Sequence, residues 1–153
     1  MVLLAMLFAC SSGPADAVEA ISAKEVPGLL TSASTDVHVV SLWAMWCGPC
    51  LDEVEELRTL KDSDAHVSLV NIDSPALYER KAAPWLIGRD WSGVQMYRMD
   101  SRDPVAELSR ALPSWGGGLP YTLVMRPGGV VCETHKRALV RADVEEAIER
   151  CRQ

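Results

Sequence analysis

Val37-His38-Val39-Val40-Ser41-Leu42-Trp43-Ala44-Met45-Trp46-Cys47-Gly48-Pro49-Cys50 runs from a β-branched apolar stretch directly into a Cys-x-x-Cys pair. A short apolar run of this kind is expected of a buried central strand. Beyond it, Leu51, Val54, Leu57 and Leu60 recur at helical spacing among acidic residues, which predicts an amphipathic helix of about four turns. Two cysteines at i and i+3 on the start of that helix lie on one face, close enough to bridge. Cys47 then sits at or before the first turn, where free backbone N–H groups and the positive dipole end stabilise a thiolate. The thiolate is the form that attacks a disulfide. Cys50, a turn further in, is expected to be more buried and to resolve the mixed disulfide. Pro49 has no N–H to lose in the first helical turn and stiffens the link between the sulfurs. Gly48 keeps the approach open to a protein-sized substrate.

Zinc sites use the same cysteine spacing, but a structural zinc needs four ligands, normally from two such clusters. No second pair exists here, and His38, His66 and His135 have no ligand spacing. A redox-active pair is therefore the reading, with no metal and no cofactor. The remaining elements alternate. Val67 to Ile72 reads as a second buried strand, followed by a helix from Ala76 that Pro84 ends or kinks. Val94 to Met99 alternates like a strand, and Asp103 to Leu112 reads as a helix with Pro104 in its first turn. Tyr121 to Met125 and Val130 to Thr134 flank a hairpin signal, Arg126-Pro127-Gly128-Gly129, before an amphipathic helix from Arg141 to Arg150. The order predicts an α/β fold in three layers, a central mixed sheet with helices on both faces.

The 153 residues correspond to one domain, and 48% apolar against 24% charged residues is ordinary for a globular chain. The net charge of −6 disfavours nucleic acid or an anionic lipid surface as a partner, since both need a basic face. At the N-terminus, Val2 to Ala9 is apolar without interruption. Eight residues span only about 12 Å as a helix, too short for a bilayer. The run reads as the apolar region of a signal peptide. Leu7-Phe8-Ala9-Cys10 resembles a bacterial lipobox, in which Cys10 becomes lipid-modified after cleavage. Phe8 is bulky for its position, and no Lys or Arg precedes the apolar run, which leaves open a start upstream of Met1. An ordinary cleaved signal, or a buried N-terminal strand or helix, are the other readings. The expected organisation is a signal peptide over 1–10, a linker over 11–24 and the domain over 25–153. Export places the cysteines on the periplasmic side of a membrane, where disulfides persist.

Trp46-Cys47-Gly48-Pro49-Cys50 after a strand resembles the active site of thioredoxins. The longer stretch from Ser41 to Glu53 is similar to the exported, membrane-tethered TlpA/ResA-like thioredoxins. Val94 to Leu112 sits where that subfamily carries a βα insertion. The resemblance implies a thioredoxin fold and thiol–disulfide exchange with client proteins that carry disulfides or thiols. It also implies a membrane electron donor of the DsbD/CcdA type. It makes Leu119-Pro120 a cis peptide facing the cysteines, with the Leu119 backbone free to pair with an extended client chain. Trp46, Gly48, Pro49, Leu119 and Pro120 would then contact the client. Tyr121, bulkier than the Thr usual after that proline, alters the groove. Glu53 matches a glutamate that this subfamily places near its active site. A carboxylate there raises a cysteine pKa when charged, or relays protons to the resolving thiol. The plainer reading makes Asp52, Glu53, Glu55 and Glu56 one solvated helix face. Ser41 stands where plain thioredoxin has a buried Asp, and Leu69 where it has the accompanying Lys. The usual proton-handling pair is absent, which raises interest in Glu53.

Cys132 and Cys151 are read as free buried thiols, with pairing open if the last helix crosses the last strand. Trp43, Met45 and Trp46 are assigned to the core or the rim of the site. Trp85, Trp91 and Trp115 are assigned to packing in the inserted region, with Trp115 beside three glycines open to a lid role. Two other functions compete with a reductase. A thiol peroxidase of peroxiredoxin type would need a Pro-x-x-x-Thr-x-x-Cys pattern that does not surround Cys47. A copper carrier or chaperone of this fold usually has three residues between its cysteines, where this chain has two.

Overall fold

The structure, a computed structural model, describes residues 18–31 and 34–153. Strand β2 (Val37–Trp43) is buried along its whole length because it runs through the middle of the sheet. It lies parallel to β3 (Ala65–Asn71) on one side and antiparallel to β5 (Tyr121–Arg126) on the other. Strand β4 (Val94–Met99) continues the parallel half, and β6 (Val130–His135) closes the antiparallel edge. With β1 (Val18–Ile21) parallel to β4, the order is β1-β4-β3-β2-β5-β6.

The period of two along β2 divides the core. Val37, Val39 and Trp43 pack with Cys50, Val54 and Leu57 of α2 (Gly48–Leu57) and with Val144, Ala147 and Ile148 of α6 (Arg141–Cys151). Val40 and Leu42 pack on the opposite side with Val26 and Leu30 of α1 (Val26–Leu30) and Leu108 of α5 (Pro104–Ala111). The expected three layers are present. Alternation also turns Ser41 toward α2, since it lies between Val39 and Trp43 on the same face.

Three local expectations are modified. Helix α2 stops at Leu57 and hands over to a 3₁₀ turn, Arg58–Asp62, which still buries Leu60. The helix after β3 is broken into α3 (Pro75–Leu77), a π-helical turn (Tyr78–Ala82) and α4 (Ala83–Leu86). The wide turn lies directly before Pro84, whose ring and missing N–H do not fit a regular i to i−4 ladder. Trp115 is not a lid. It is buried, and its indole N–H donates to the Gly118 carbonyl at 2.7 Å. Gly116 and Gly117, at φ +73° and +82°, supply the left-handed backbone that folds this loop back over the ring.

Two larger differences concern chain organisation. Residues 18–24, expected as linker, belong to the fold. β1 pairs with β4, and Ile21 and Ala23 are buried. The reading of 1–10 and of Cys10 as signal peptide and lipobox lies outside the described residues. Cys132 and Cys151, expected as free thiols, form a disulfide. Val124 pairs with Glu133 and Met125 with Val131, so Cys132 is the extra residue of a β-bulge. A bulge re-aims a side chain, here toward the end of α6. The 19-residue separation sets the expected stabilisation by loop closure at about 3 kcal/mol. Changing both cysteines to Ala should lower the free energy of denaturant unfolding by about that amount. An unchanged unfolding midpoint would show that the bond contributes nothing.

Candidate active site

Cys47 is the N-cap of α2, and its carbonyl accepts from Cys50 N–H at 3.1 Å. Gly48 and Pro49 occupy the first helical positions, where the missing proline N–H costs no bond. Cys47 and Cys50 are joined in a disulfide with Cα atoms 5.3 Å apart. Cys47 is 7% exposed and Cys50 1%, so an incoming sulfur meets Cys47 first. Trp46, 55% exposed, stands at the rim as an apolar contact for a large ligand. The Leu119–Pro120 peptide bond is cis, and Leu119 packs against the core cluster that contains both cysteines.

Glu53 does not lie on a solvated face. One turn beyond Cys50, it is 1% exposed on the inner side of α2. The Ser41 hydroxyl donates to its Oε1 at 3.1 Å. The hydroxyl of Thr122, 3.0 Å from that of Ser41, also reaches Oε1. The Leu139 N–H donates to Oε2 at 3.1 Å. Burial raises the Glu53 pKa above the ordinary carboxylate range, while these three donors and the nearby His135 pull it back. The position vacated by the familiar strand Asp is thus filled from the helix: Ser41 reaches across to Glu53, and Thr122 sits opposite Ser41 in the ladder.

A second buried carboxylate supports the loop that carries the cysteines. Asp73 accepts the Met45 N–H at 3.0 Å and the Asn71 side-chain amide at 2.8 Å. The Asn71 side chain accepts the Asp73 N–H in return, at 3.0 Å. Burial raises the Asp73 pKa too. Trp43, wholly buried beside this loop, packs against Trp85 in a tilted arrangement at 5.6 Å between ring centroids, and Trp85 likewise against Trp91 at 6.0 Å. Sequence reasoning missed Asp73, Thr122 and Leu139. The Asn-x-Asp at the end of β3 was the one local signal for Asp73; the other two are tertiary. One cluster brings ligand-type atoms of Cys132, Glu133 and Cys151 within 4.8 Å of one another. Its sulfurs are bonded to each other, which leaves them unfit as thiolate ligands in this state.

No family model matches the chain, and no curated protein matches it in sequence. Solved structures do match. The exposed lipoprotein thioredoxin of Streptococcus pneumoniae aligns at 18% identity and TM-score 0.58, over 79% of this chain and 89% of its own. A thioredoxin-related protein from Neisseria meningitidis serogroup B aligns at 19% and 0.59, over 78% and 87%. A DsbF homologue from Corynebacterium diphtheriae aligns at 18% and 0.58, over 79% and 80%. The chain has the thioredoxin fold.

Both buried carboxylates have folded pKa values above their unfolded ones. Each therefore stabilises the fold fully below the unfolded pKa and loses that contribution as pH rises through the folded value. Thermal stability should fall from pH 4.5, the ordinary value for Glu53, upward through the folded pKa. Glu53→Gln should flatten that fall, and a slope unchanged by the substitution would contradict the assignment. Asp73→Ala should cost about 1–3 kcal/mol by leaving the Met45 N–H unpaired, measured by denaturant unfolding. A neutral result would mean Asp73 does not hold the loop.

Proposed function

We propose that this protein is an exported thiol–disulfide oxidoreductase that reduces disulfides of client proteins. The closed Cys47–Cys50 pair at the start of α2, with a buried carboxylate one turn beyond it, is the observation that carries the reading. In the reduced enzyme, the Cys47 thiolate attacks a client disulfide, and the first client sulfur leaves as a thiolate that takes a proton. Glu53 accepts the proton of Cys50. The Cys50 sulfur then attacks Cys47, releases the second client sulfur and closes the Cys47–Cys50 bond. Two electrons pass to the client, and a membrane electron donor restores the dithiol. A carboxylate whose pKa is raised toward working pH is a better proton acceptor than an ordinary one. Glu53 fits that requirement by burial.

Leu119 beside the cis Pro120 supplies backbone for pairing with an extended client segment, and Trp46, Gly48 and Pro49 border the approach. Location follows from two supports. One is the lipobox-like Leu7-Phe8-Ala9-Cys10; the other is that a fold neighbour is an exposed lipoprotein. Among the described residues no helix is long and apolar enough to cross a membrane. In this reading a lipid on Cys10 is the attachment. The Gly-Pro pair between the cysteines, as in thioredoxin, is what supports the reducing direction.

The reduction potential of the Cys47–Cys50 pair tests the direction. A value near that of thioredoxin, about −270 mV, is expected, and one near about −120 mV would make the protein an oxidant. In cells, Cys50→Ala should accumulate mixed disulfides through Cys47. Capture by Cys50 in a Cys47→Ala protein, with none by Cys47, would invert the two roles.

A further inference from the structure

Glu53 is held by a stretch of chain that the second disulfide encloses. Leu139, whose N–H donates to Oε2, lies between Cys132 and Cys151 in sequence. A lateral chain of contacts joins the same two places. Thr122, which bonds Glu53, pairs across the ladder with His135. His135 Nε2 lies 2.9 Å from Glu133 Oε2. Glu133 in turn accepts two bonds from Arg150, at 2.7 and 3.1 Å. Glu133 follows Cys132 in β6, and Arg150 precedes Cys151 in α6. The covalent bond and the ion pair therefore clamp the same two elements at the same point. Residues 134–140 are strung between that clamp and the carboxylate.

We propose that the Cys132–Cys151 disulfide sets the proton affinity of Glu53 by fixing β6 and the following loop, so that the Leu139 N–H stays against the carboxylate and His135 stays near it. The inference rests on the reading of Glu53 as proton acceptor for Cys50. It gives one cysteine pair control over the other. The groups facing Glu53 are the hydroxyls of Ser41 on β2 and Thr122 on β5, the Leu139 N–H and the imidazole of His135 on β6. On α2 itself, Cys50 is buried one turn before Glu53. Of these, Leu139 and His135 depend on the clamped stretch. Cys132 is half-buried, so an external dithiol can reach the bond. That dithiol gives up two electrons and two protons and closes to its own disulfide, leaving thiols at Cys132 and Cys151. Among the described residues, only the exposed Arg150–Glu133 ion pair then holds the two elements, a weak constraint. The loosened segment lets the Leu139 N–H and the His135 ring, both of which lower the Glu53 pKa, draw back. Glu53 keeps its proton to higher pH, and Cys50 loses its acceptor.

The test is a direct titration of Glu53. The full chain is labelled with ¹³C at glutamate side-chain carboxyls, and the Glu53 signal is followed against pH with Cys47–Cys50 closed. In Cys132→Ala/Cys151→Ala the midpoint should rise by about one pH unit. His135→Gln, with the disulfide intact, should move it in the same direction by less. A merely structural clamp would lower thermal stability and leave the midpoint in place. An unmoved midpoint in either variant overturns the proposal. If the double variant does not fold, the same titration of a Cys47→Ser/Cys50→Ser protein with and without dithiothreitol decides, since only Cys132–Cys151 is then there to be reduced. A midpoint that rises on reduction supports the proposal, and one that stays overturns it. Thiol–disulfide turnover of the wild-type protein is measured separately. Its absence would defeat the oxidoreductase reading and leave the titration result standing.

Discussion

A carboxyl group shut away from water must find donors or lose its charge, and Glu53 finds them on three separate parts of the chain. Ser41 comes from β2, Thr122 from β5 and Leu139 from the connection before α6. Each donor fixes its own element relative to α2. The helix that presents Cys47 and Cys50 is therefore positioned by a polar anchor on its inner face as well as by Val54 and Leu57. The requirement is mutual, since removing the carboxylate would also strand buried hydroxyls and an N–H. An anchor satisfied by elements far apart in sequence forms only when the sheet is complete. It ties the chemistry of Cys50 to the integrity of the fold.

Asp73 performs a related service for the backbone just ahead of the cysteines. Strands β2 and β3 run parallel, so their C-terminal ends meet on the edge of the sheet where α2 begins. Ile72 N–H donates to the Trp43 carbonyl there, and Asp73 takes the next free donor, Met45 N–H. The turn that delivers Cys47 to the N-terminus of α2 is thereby fixed from below. Reactive and supporting groups converge from strand ends, as is usual for open α/β sheets.

What was legible in the sequence was whatever the local pattern encodes. The burial of β2, the start of α2 and the pairing of Cys47 with Cys50 follow from residues within fourteen positions of one another. The cis Pro120 came from resemblance, because nothing local compels that isomer. The identity of Glu53 as the buried member of an acidic run was only half legible. Helical spacing puts it on the side of Cys50 and Leu57, but its partners lie 12, 69 and 86 residues away. β1 was hidden for another reason. It is four residues long with two exposed positions, and its pairing with β4 is a tertiary event that no local pattern announces. The Cys132–Cys151 bond depended on a bulge, an irregularity that a period-two reading of β6 does not contain.

The central claim is that Glu53 takes the proton of Cys50 when the mixed disulfide resolves. It is tested most directly by preforming that mixed disulfide between Cys47 and a small thiol, then following its resolution by Cys50 in rapid mixing across pH. General base catalysis by one side chain typically contributes about 100-fold or more. Glu53→Gln is predicted to slow resolution at neutral pH by about that factor, with the gap closing at alkaline pH where Cys50 ionises unaided. Equal rates for the two proteins at neutral pH would contradict the account.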